Sequence, residues 1–270
     1  MDSDLRNNAE RFSGFASRYD KFRLGPPLEI LDLPSRVAGL RSLGTILDLG
    51  CGTGLSTFCW ADRACRVVGV DPNAEMLDVA RRESSLTKRT NVEFLEGTSS
   101  AIRLEDASVD VATCGQSFHW MNPRSTLREV DRLLRPGGVV LIYDCRWPLI
   151  GHWKVQRAWH MLFAEIRRIE TEHGYDRDYR YWPKNSHRES LDTSGHFRFV
   201  TELSIGTRVG RSAEQIVGLA LSQGQLQNLL RHGVDEERMG LTAFVQTVQE
   251  QLDSASPEWI ASFDVRLAVK

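Results

Sequence analysis

The stretch ILDLGCGTG places a carboxylate and three glycines where the backbone could contact a ligand closely. Asp48, Gly50, Gly52 and Gly54 follow the pattern Asp-x-Gly-x-Gly-x-Gly directly after an apolar run. Glycine has no Cβ, so such a loop can turn tightly and touch a ligand with its backbone. A second carboxylate, Asp71, ends the next apolar run, about twenty residues on, where an acidic side chain can bind a ribose diol.

A carboxylate beside the loop argues against a pyrophosphate ligand, because like charges repel. Leu55 follows Gly54, so the dinucleotide fingerprint GxGxxG is missing, and the Gly-Lys-Ser/Thr of a P-loop is missing as well. Pro72 directs the chain away, and Met76 could pack on a flat heterocycle. The carboxylate beside the loop suits a ligand with a positively charged amino group. A ligand that combines this group with a ribose and an adenine-like ring is S-adenosylmethionine. Two alternatives stay open: a glycine turn without a ligand, and Asp71 as a helix N-cap.

These residues need elements that carry them to one place. Apolar runs predict strands at residues 45–49, 66–70, 91–96, 109–114 and 139–143. Helical spacing predicts helices at 55–61 and 74–82, and a third from Pro123 that ends before Arg135-Pro136. Strands separated by helices predict parallel crossovers and a Rossmann-like, doubly wound α/β sheet. In such a sheet, ligands bind beyond the carboxyl ends of the strands.

The composition of the sequence changes after Tyr143. Residues 146–196 are rich in aromatic and basic side chains and predict a helical lid inserted after the fifth strand. Strand character returns at 197–205 and 263–269, with helical patterns at 212–231 and 235–253. We therefore expect one domain over residues 1–270. Its parts would be an N-terminal cap (1–40), a cofactor-binding core (41–145), the lid (146–196) and C-terminal strands and helices (197–270).

Three motifs together, ILDLGCGTG, VVGVDPNAEML and LLRPGG, resemble the class I S-adenosylmethionine-dependent methyltransferases over about Tyr19 to Tyr143. FASRYDKFRLGPP and GQSFHWMN are similar to the small-molecule branch that includes trans-aconitate-type methyltransferases. The resemblance implies a seven-stranded sheet whose last strand runs antiparallel. It also implies an enzyme that transfers a methyl group from S-adenosylmethionine to an oxygen, nitrogen or carbon atom of a small molecule.

The resemblance also implies a cofactor site. Asp48 and the glycine loop would surround the methionine portion and Asp71 the ribose, while Cys114 to Gln116 would line the far side. Thr98 and Ser99 stand where the family often has Asp-Ala, a departure that leaves backbone groups to bind the adenine. The full candidate set is Tyr19, Arg23, Asp48, Gly50, Cys51, Gly52, Gly54, Asp71, Pro72, Met76, Thr98, Ser99 and Gln116. Tyr19 and Arg23 would fold over the cofactor; alternatively, their helix only caps the sheet.

His119 in QSFHWM is the candidate general base. Methyl transfer needs mainly alignment, and a base is required only for acceptors that ionise late. An imidazole titrates near neutrality and suits this role. Alternatively, His119 packs beside Trp120 and holds the loop, or binds substrate without proton transfer. Trp120 and Trp153 are candidate substrate-binding residues. The lid arginines could pair with a carboxylate or be solvated.

Composition narrows the partners. The formal charge of −2, without a basic arm, argues against nucleic acid. The start is polar and no apolar run approaches the ~20 residues that span a bilayer, so we expect a cytoplasmic protein without a membrane partner. The five cysteines lack CxxC spacing, and the seven histidines lack HxxxH or HExxH spacing. Free thiols and no metal site are therefore expected.

Two other functions compete with the transferase. A nicotinamide-dependent (NAD) oxidoreductase would share the fold, although its GxGxxG is absent. A protein of the same fold that catalyses no transfer could act as a partner subunit. The sequence indicates neither the acceptor nor the oligomeric state.

Overall fold

The structure, a computed structural model, describes Asn8, residues 13–14, 16–39, 42–252 and 257–270. Positions 1–7, 9–12, 15 and 40 of the predicted N-terminal cap lie outside the described residues, as does residue 253 of the last predicted helix.

Seven strands form one sheet with the order β3-β2-β1-β4-β5-β7-β6. They are β1 (Leu43–Leu49), β2 (Ala64–Asp71), β3 (Val92–Glu96), β4 (Val109–Gly115), β5 (Leu134–Cys145), β6 (Phe199–Gly210) and β7 (Glu258–Val269). The first five strands pair in parallel, and β7 runs antiparallel to both β5 and β6. The predicted doubly wound sheet with an antiparallel last strand is confirmed.

Ten helices of the described chain accompany the sheet. They are α1 (Ala16–Phe22), α2 (Leu28–Ala38), α3 (Leu55–Ala61), α4 (Ala74–Thr87), α5 (Pro123–Leu133), α6 (Trp153–His173), α7 (His187–Thr193), α8 (Ala213–Leu221), α9 (Gly224–Arg231) and α10 (Leu241–Leu252). Short 3₁₀ turns lie at Phe118–Trp120, Tyr175–Asp178 and Lys184–Ser186.

Both faces of the sheet are buried. Along β5, Val139, Leu141 and Tyr143 join one apolar core, while Val140 and Ile142 join the core on the opposite face. This alternation follows from the strand geometry, in which successive side chains point to opposite faces. A parallel sheet covered on both sides reads as a continuous apolar run, which explains why the strands were visible in the sequence.

Strand β5 is longer than predicted. Helix α5 ends at Leu133, as its proline and glycine signal indicated, but β5 begins at Leu134 rather than at residue 139. The register explains the difference, because Leu134 pairs with Val109 and Val139 pairs with Val111. The extra residues between these pairs form an irregularity that the ladder accommodates.

The long helix α6 carries the amphipathic pattern predicted in the inserted segment. Its apolar positions, including Val155, Trp159 and Ile166, are buried. Helix α6 contacts α9 and α10, so it packs mainly on helices rather than directly on the sheet. Arg168 pairs with Glu165 and Glu172 of the same helix, which agrees with solvated arginines. Among the described helices, none combines the length and the apolar character needed to cross a membrane.

Helix α4 provides a matched test of this packing. Leu77 is fully buried, whereas Leu86 of the same helix is 72% exposed. We expect Leu77→Ala to lower the free energy of unfolding by about 2–5 kcal/mol through lost burial and a residual cavity. Leu86→Ala should change it by less than about 0.5 kcal/mol. Urea unfolding measures both, and similar losses in the two variants would contradict the assigned buried face.

Candidate functional site

The carboxyl ends of β1, β2, β4 and β5 meet at one edge of the sheet, here called the carboxyl edge. The strand order reverses between β1 and β4, and open α/β sheets bind ligands at such a switch point. A first cavity opens there. Its predicted lining residues are Tyr19, Gly50, Gly52, Asp71, Pro72, Met76, Thr98, Ser99, Gln116 and Trp120. The structure therefore brings together most of the predicted cofactor residues.

The glycine loop shapes one wall of the first cavity. Gly50 has φ +65°, and a Cβ there would lie 2.6 Å from Ser117 Cβ, so both backbone and space require glycine. Gly52 has φ +54°, and nothing lies within 4 Å of the position its Cβ would take. At Gly52 the requirement comes from the left-handed backbone, and the open side faces the cavity.

Asp71 ends β2 with both carboxylate oxygens near the loop. Oδ2 accepts a hydrogen bond of 2.9 Å from the Gly52 amide, and Oδ1 accepts one of 2.8 Å from the Asn73 amide. Burial raises the pKa of Asp71 to about 6, although these two bonds favour the charged form. The N-cap alternative for Asp71 is wrong, because Asn73 caps α4 by accepting from the Met76 amide at 3.0 Å.

Three predicted cofactor residues lie behind the cavity wall instead of lining it. Asp48 is buried beneath the loop, where its Oδ2 accepts a 2.7 Å hydrogen bond from Thr57. Cys51 Sγ packs toward Gly69, and Gly54 packs against the rings of Phe58 and Phe94. Their role in the structure is to form the loop and join it to α3. Cys114 is also buried.

A second cavity adjoins the first. Tyr19, Gln116 and Trp120 line both, so a ligand in each would meet at these three residues. The remaining walls of the second cavity are Arg23, His119, Trp147, Asp176, Tyr179, Arg180, Tyr181, Lys184 and residues 223–225. Arg23 thus faces the second cavity rather than the first, and it donates to the Ser222 carbonyl and the Gln223 side chain.

Aromatic side chains form one wall of the second cavity. The Trp120 ring lies 5.7 Å from that of Tyr179 and 5.5 Å from that of Tyr181, both edge-on. The prediction for Trp153 is not supported: it begins α6, is 60% exposed and lines neither cavity. Trp147, which the sequence did not single out, lies on the wall of the second cavity instead.

His119 lies at the floor of the second cavity beside a buried carboxylate. Its Nδ1 is 3.3 Å from Asp144 Oδ1, while Nδ1 of His187 is 3.3 Å from the other oxygen, Oδ2. The Lys184 ammonium lies 3.0 Å from Oδ1 and the Arg266 guanidinium 3.6 Å from Oδ2. The facing imidazole and carboxylate atoms are buried, and their angles depart from those of a hydrogen bond.

The surroundings of this cluster lower the pKa values of both His119 and Asp144, which leaves one neutral and the other charged. Burial lowers the pKa of His119 to about 4, although Asp144 favours its charged form. Burial acts to raise the pKa of Asp144, but His119, His187 and Lys184 together hold it well below its usual range. At neutral pH the cluster therefore contains an ionised carboxylate beside a neutral imidazole. The packing of His119 against Trp120, with ring centroids 4.9 Å apart, coexists with its exposure to the cavity.

His119, Asp144 and His187 also offer one ligand atom each within 4.8 Å of one another and could hold a metal ion. Histidine spacing could not show this, because the three residues come from separate segments. The sequence did carry a signal for Asp144, because this acidic residue lies near the end of the apolar run VVLIYDC. Asp71 lies in the same way at the end of β2. His187 and Lys184 belong to the inserted segment and had no such signal.

Part of the chain is similar to known methyltransferases. Residues 47–142 match the family model described as "Methyltransferase domain". An uncharacterized methyltransferase of Mycobacterium tuberculosis is 36% identical over 152 residues. That match covers 56% of this chain and 59% of the relative, so the chain spans less than two thirds of the relative's length.

Two solved structures share the fold. The YcgJ protein of Bacillus subtilis superposes with a TM-score of 0.55 at 17% identity, covering 90% of this chain and 99% of that protein. A phosphoethanolamine N-methyltransferase of Haemonchus contortus, in complex with S-adenosylhomocysteine, superposes with a TM-score of 0.58 at 17% identity. It covers 99% of this chain and 59% of that protein.

Asp48 gives a pH-dependent prediction that needs no ligand. Burial raises its pKa from 3.8 to about 7, so the folded chain binds this proton more tightly than the unfolded chain. The contribution of Asp48 to stability then falls as the pH rises from about 4 to about 7. Asp48→Asn keeps an acceptor for Thr57 and does not titrate. As the pH rises from 5 to 8, the free energy of unfolding of Asp48→Asn should increase by more than about 1 kcal/mol relative to that of the unaltered protein.

Urea unfolding at the two pH values measures this difference. Asp62→Asn is the matched control, because the guanidinium of Arg89 lowers the pKa of the exposed Asp62 and takes its titration out of the window. An Asp48→Asn variant with the pH dependence of the unaltered protein would contradict the raised pKa.

Proposed function

We propose that this chain, whose residues 47–142 match the family model of a methyltransferase domain, transfers a methyl group from S-adenosylmethionine to a small molecule. The methyl donor would occupy the first cavity and the acceptor the second. The observation that carries this proposal is the wall shared by the two cavities at Tyr19, Gln116 and Trp120, next to His119.

The lining of the first cavity supports S-adenosylmethionine as its ligand. Its loop faces open space at Gly52. From the residues that the structure describes, Asp71 accepts two backbone hydrogen bonds, while an ionised carboxylate offers about four acceptor sites. The free sites suit a ribose diol. Bound S-adenosylmethionine would supply an electrophilic methyl group on a positively charged sulfur, and the Haemonchus contortus structure, whose fold this chain shares, contains S-adenosylhomocysteine.

The second cavity would position the acceptor and receive its proton. In this reaction a bond forms between the acceptor atom and the methyl carbon as the carbon–sulfur bond breaks, and its electron pair stays on sulfur. For an O–H or N–H acceptor, the proton released moves to His119. The resulting imidazolium would be stabilised by the adjacent Asp144 carboxylate. The aromatic wall around Trp120 would hold an apolar part of the acceptor.

The lining of the second cavity supports one class of acceptor. Three basic residues, Arg23, Arg180 and Lys184, line the second cavity beside one acidic residue, Asp176. This balance supports an acceptor of small size carrying a polar or anionic group. The net charge of −2 supports a small molecule over nucleic acid, and we place the activity in the cytoplasm.

Two alternatives make different predictions. An NAD oxidoreductase would also use Asp71 for a ribose, but its pyrophosphate would meet the loop backed by Asp48 without the GxGxxG fingerprint. A partner subunit without transferase activity would not need the second cavity to adjoin the first. The resemblance to trans-aconitate-type enzymes stays a prediction.

Asp71→Ala tests the cofactor. We expect calorimetric titration to show binding of S-adenosylmethionine and S-adenosylhomocysteine but not of NAD. Loss of the ribose hydrogen bonds should weaken adenosyl binding by about 1–3 kcal/mol. Asp78→Ala is the control, because Asp78 lies on α4 with its side chain 70% exposed. Binding of NAD, or of none of the three ligands, would refute the proposed cofactor.

His119→Gln tests the proposed base. Acceptors would first be identified by screening for formation of S-adenosylhomocysteine. With an O–H or N–H acceptor, turnover should fall about 10²–10⁴-fold, while S-adenosylhomocysteine affinity stays unchanged. His160→Gln, at an exposed position of α6, should retain full turnover. Unchanged turnover in His119→Gln would exclude proton transfer through this imidazole.

A further inference from the structure

We propose that Asp144 is a positioning residue that holds His119 as the Nδ1–H tautomer and so leaves Nε2 unprotonated toward the second cavity. The inference rests on the proposed function, in which His119 receives the proton of the acceptor. It adds a residue from the end of β5 that contacts neither cavity and acts only through the imidazole.

The burial of the cluster restricts its protonation. Asp144 is 3% exposed, His119 is 5% exposed and His187 is fully buried. An ionised carboxylate can only accept hydrogen bonds. The nitrogen of His119 that lies 3.3 Å from Oδ1 is Nδ1, so a proton on Nδ1 turns this contact into an attraction. A neutral imidazole carries one proton, and Nε2 is then left as an acceptor.

Four side chains from three parts of the chain surround the Asp144 carboxylate. His119 belongs to the turn after β4, Lys184 and His187 to the inserted segment, and Arg266 to β7. Arg266 is shared, because its Nε lies 2.7 Å from Glu202 of β6. Lys184 therefore supplies the nearest full positive charge, 3.0 Å from Oδ1. With this cation in place, the carboxylate stays ionised while the His119 imidazole stays neutral.

The same charges decide between positioning and metal binding. The three ligand atoms are close enough for a metal ion, but a divalent cation would be placed near the Lys184 ammonium and the Arg266 guanidinium with one carboxylate between them. Repulsion between these charges in a buried site favours the metal-free arrangement. Apo sites often hold such contacts in long, poorly aligned geometry that tightens when ligand binds, which agrees with the 3.3 Å separations.

Nitrogen NMR of the histidine side chains tests the tautomer directly. The full chain, labelled with ¹⁵N and without cofactor or acceptor, would be recorded at pH 7 by long-range ¹H–¹⁵N correlation. The His119→Gln variant assigns the signals of this imidazole. We expect a protonated Nδ1 and an unprotonated Nε2 in His119. The Nε2–H tautomer in the unaltered protein would overturn the proposal, whether or not any variant folds.

Asp144→Ala then tests the cause. Without the acceptor, His119 should lose its Nδ1–H pattern and gain the Nε2–H form. Asp110→Ala is the matched control, since Asp110 is a buried carboxylate of β4 that pairs with Arg135 at 2.8 Å and touches neither imidazole. A folded Asp144→Ala variant with an unchanged His119 pattern would overturn the proposal, and so would loss of the pattern in Asp110→Ala.

Addition of one equivalent of Zn²⁺ to the unaltered protein distinguishes the metal alternative. We expect no change in the His119 and His187 signals. A joint shift of both, absent in Asp144→Ala, would identify a metal site and overturn the positioning role. These spectra need no S-adenosylmethionine, so failure of cofactor binding would refute the proposed function and leave the tautomer result standing, and the reverse also holds.

Discussion

Three carboxylates are buried at the ends of three parallel strands, and the cost of burying these charges constrains the whole carboxyl edge. A buried charge must be paired, hydrogen-bonded or neutralised by a proton. Asp48 accepts from Thr57 and has a pKa near neutrality. Asp71 is held by two backbone amides. Asp144 remains ionised because Lys184 and two imidazoles surround it. The three carboxylates therefore differ in their partners and in their pKa, although they lie on one edge of the sheet.

The solution at Asp144 explains why the inserted segment matters beyond covering the sheet. Lys184 and His187 both come from this segment, which follows β5 in sequence and returns to the end of the same strand. Without them, Asp144 would keep His119 and Arg266 as neighbours, and that guanidinium is shared with Glu202. The segment is thus tied to the sheet by electrostatics as well as by its apolar contacts, and Leu191 of α7 supplies one of these contacts.

The fold was predictable because a doubly covered parallel sheet leaves a strong trace: apolar runs, glycine turns and helical spacing over residues 45–143. The first cavity was largely predictable too, since Gly50, Gly52 and Asp71 follow strands directly. The second cavity was predictable in part, since His119 and Trp120 line it. Tyr179, Tyr181 and Lys184 reach it by tertiary packing of a segment of short 3₁₀ turns and the residues between them, which lack periodicity. Trp153 lies outside both cavities, because composition indicated aromatic walls without showing which side of α6 faces outward.

The neutral imidazole of His119 carries a consequence for the reaction. Burial makes the free base fully available at neutral pH, yet a pKa of about 4 makes it a weak base. Brønsted behaviour implies that such a base cannot ionise an acceptor in advance. The His119 base suits an acceptor that becomes more acidic as its new bond to carbon forms, because the proton then leaves late in the reaction. The adjacent carboxylate then stabilises the charge that appears on the ring. The pKa of about 4 already includes this stabilisation, so burial outweighs the attraction to Asp144 and the imidazole stays a weak base throughout the reaction.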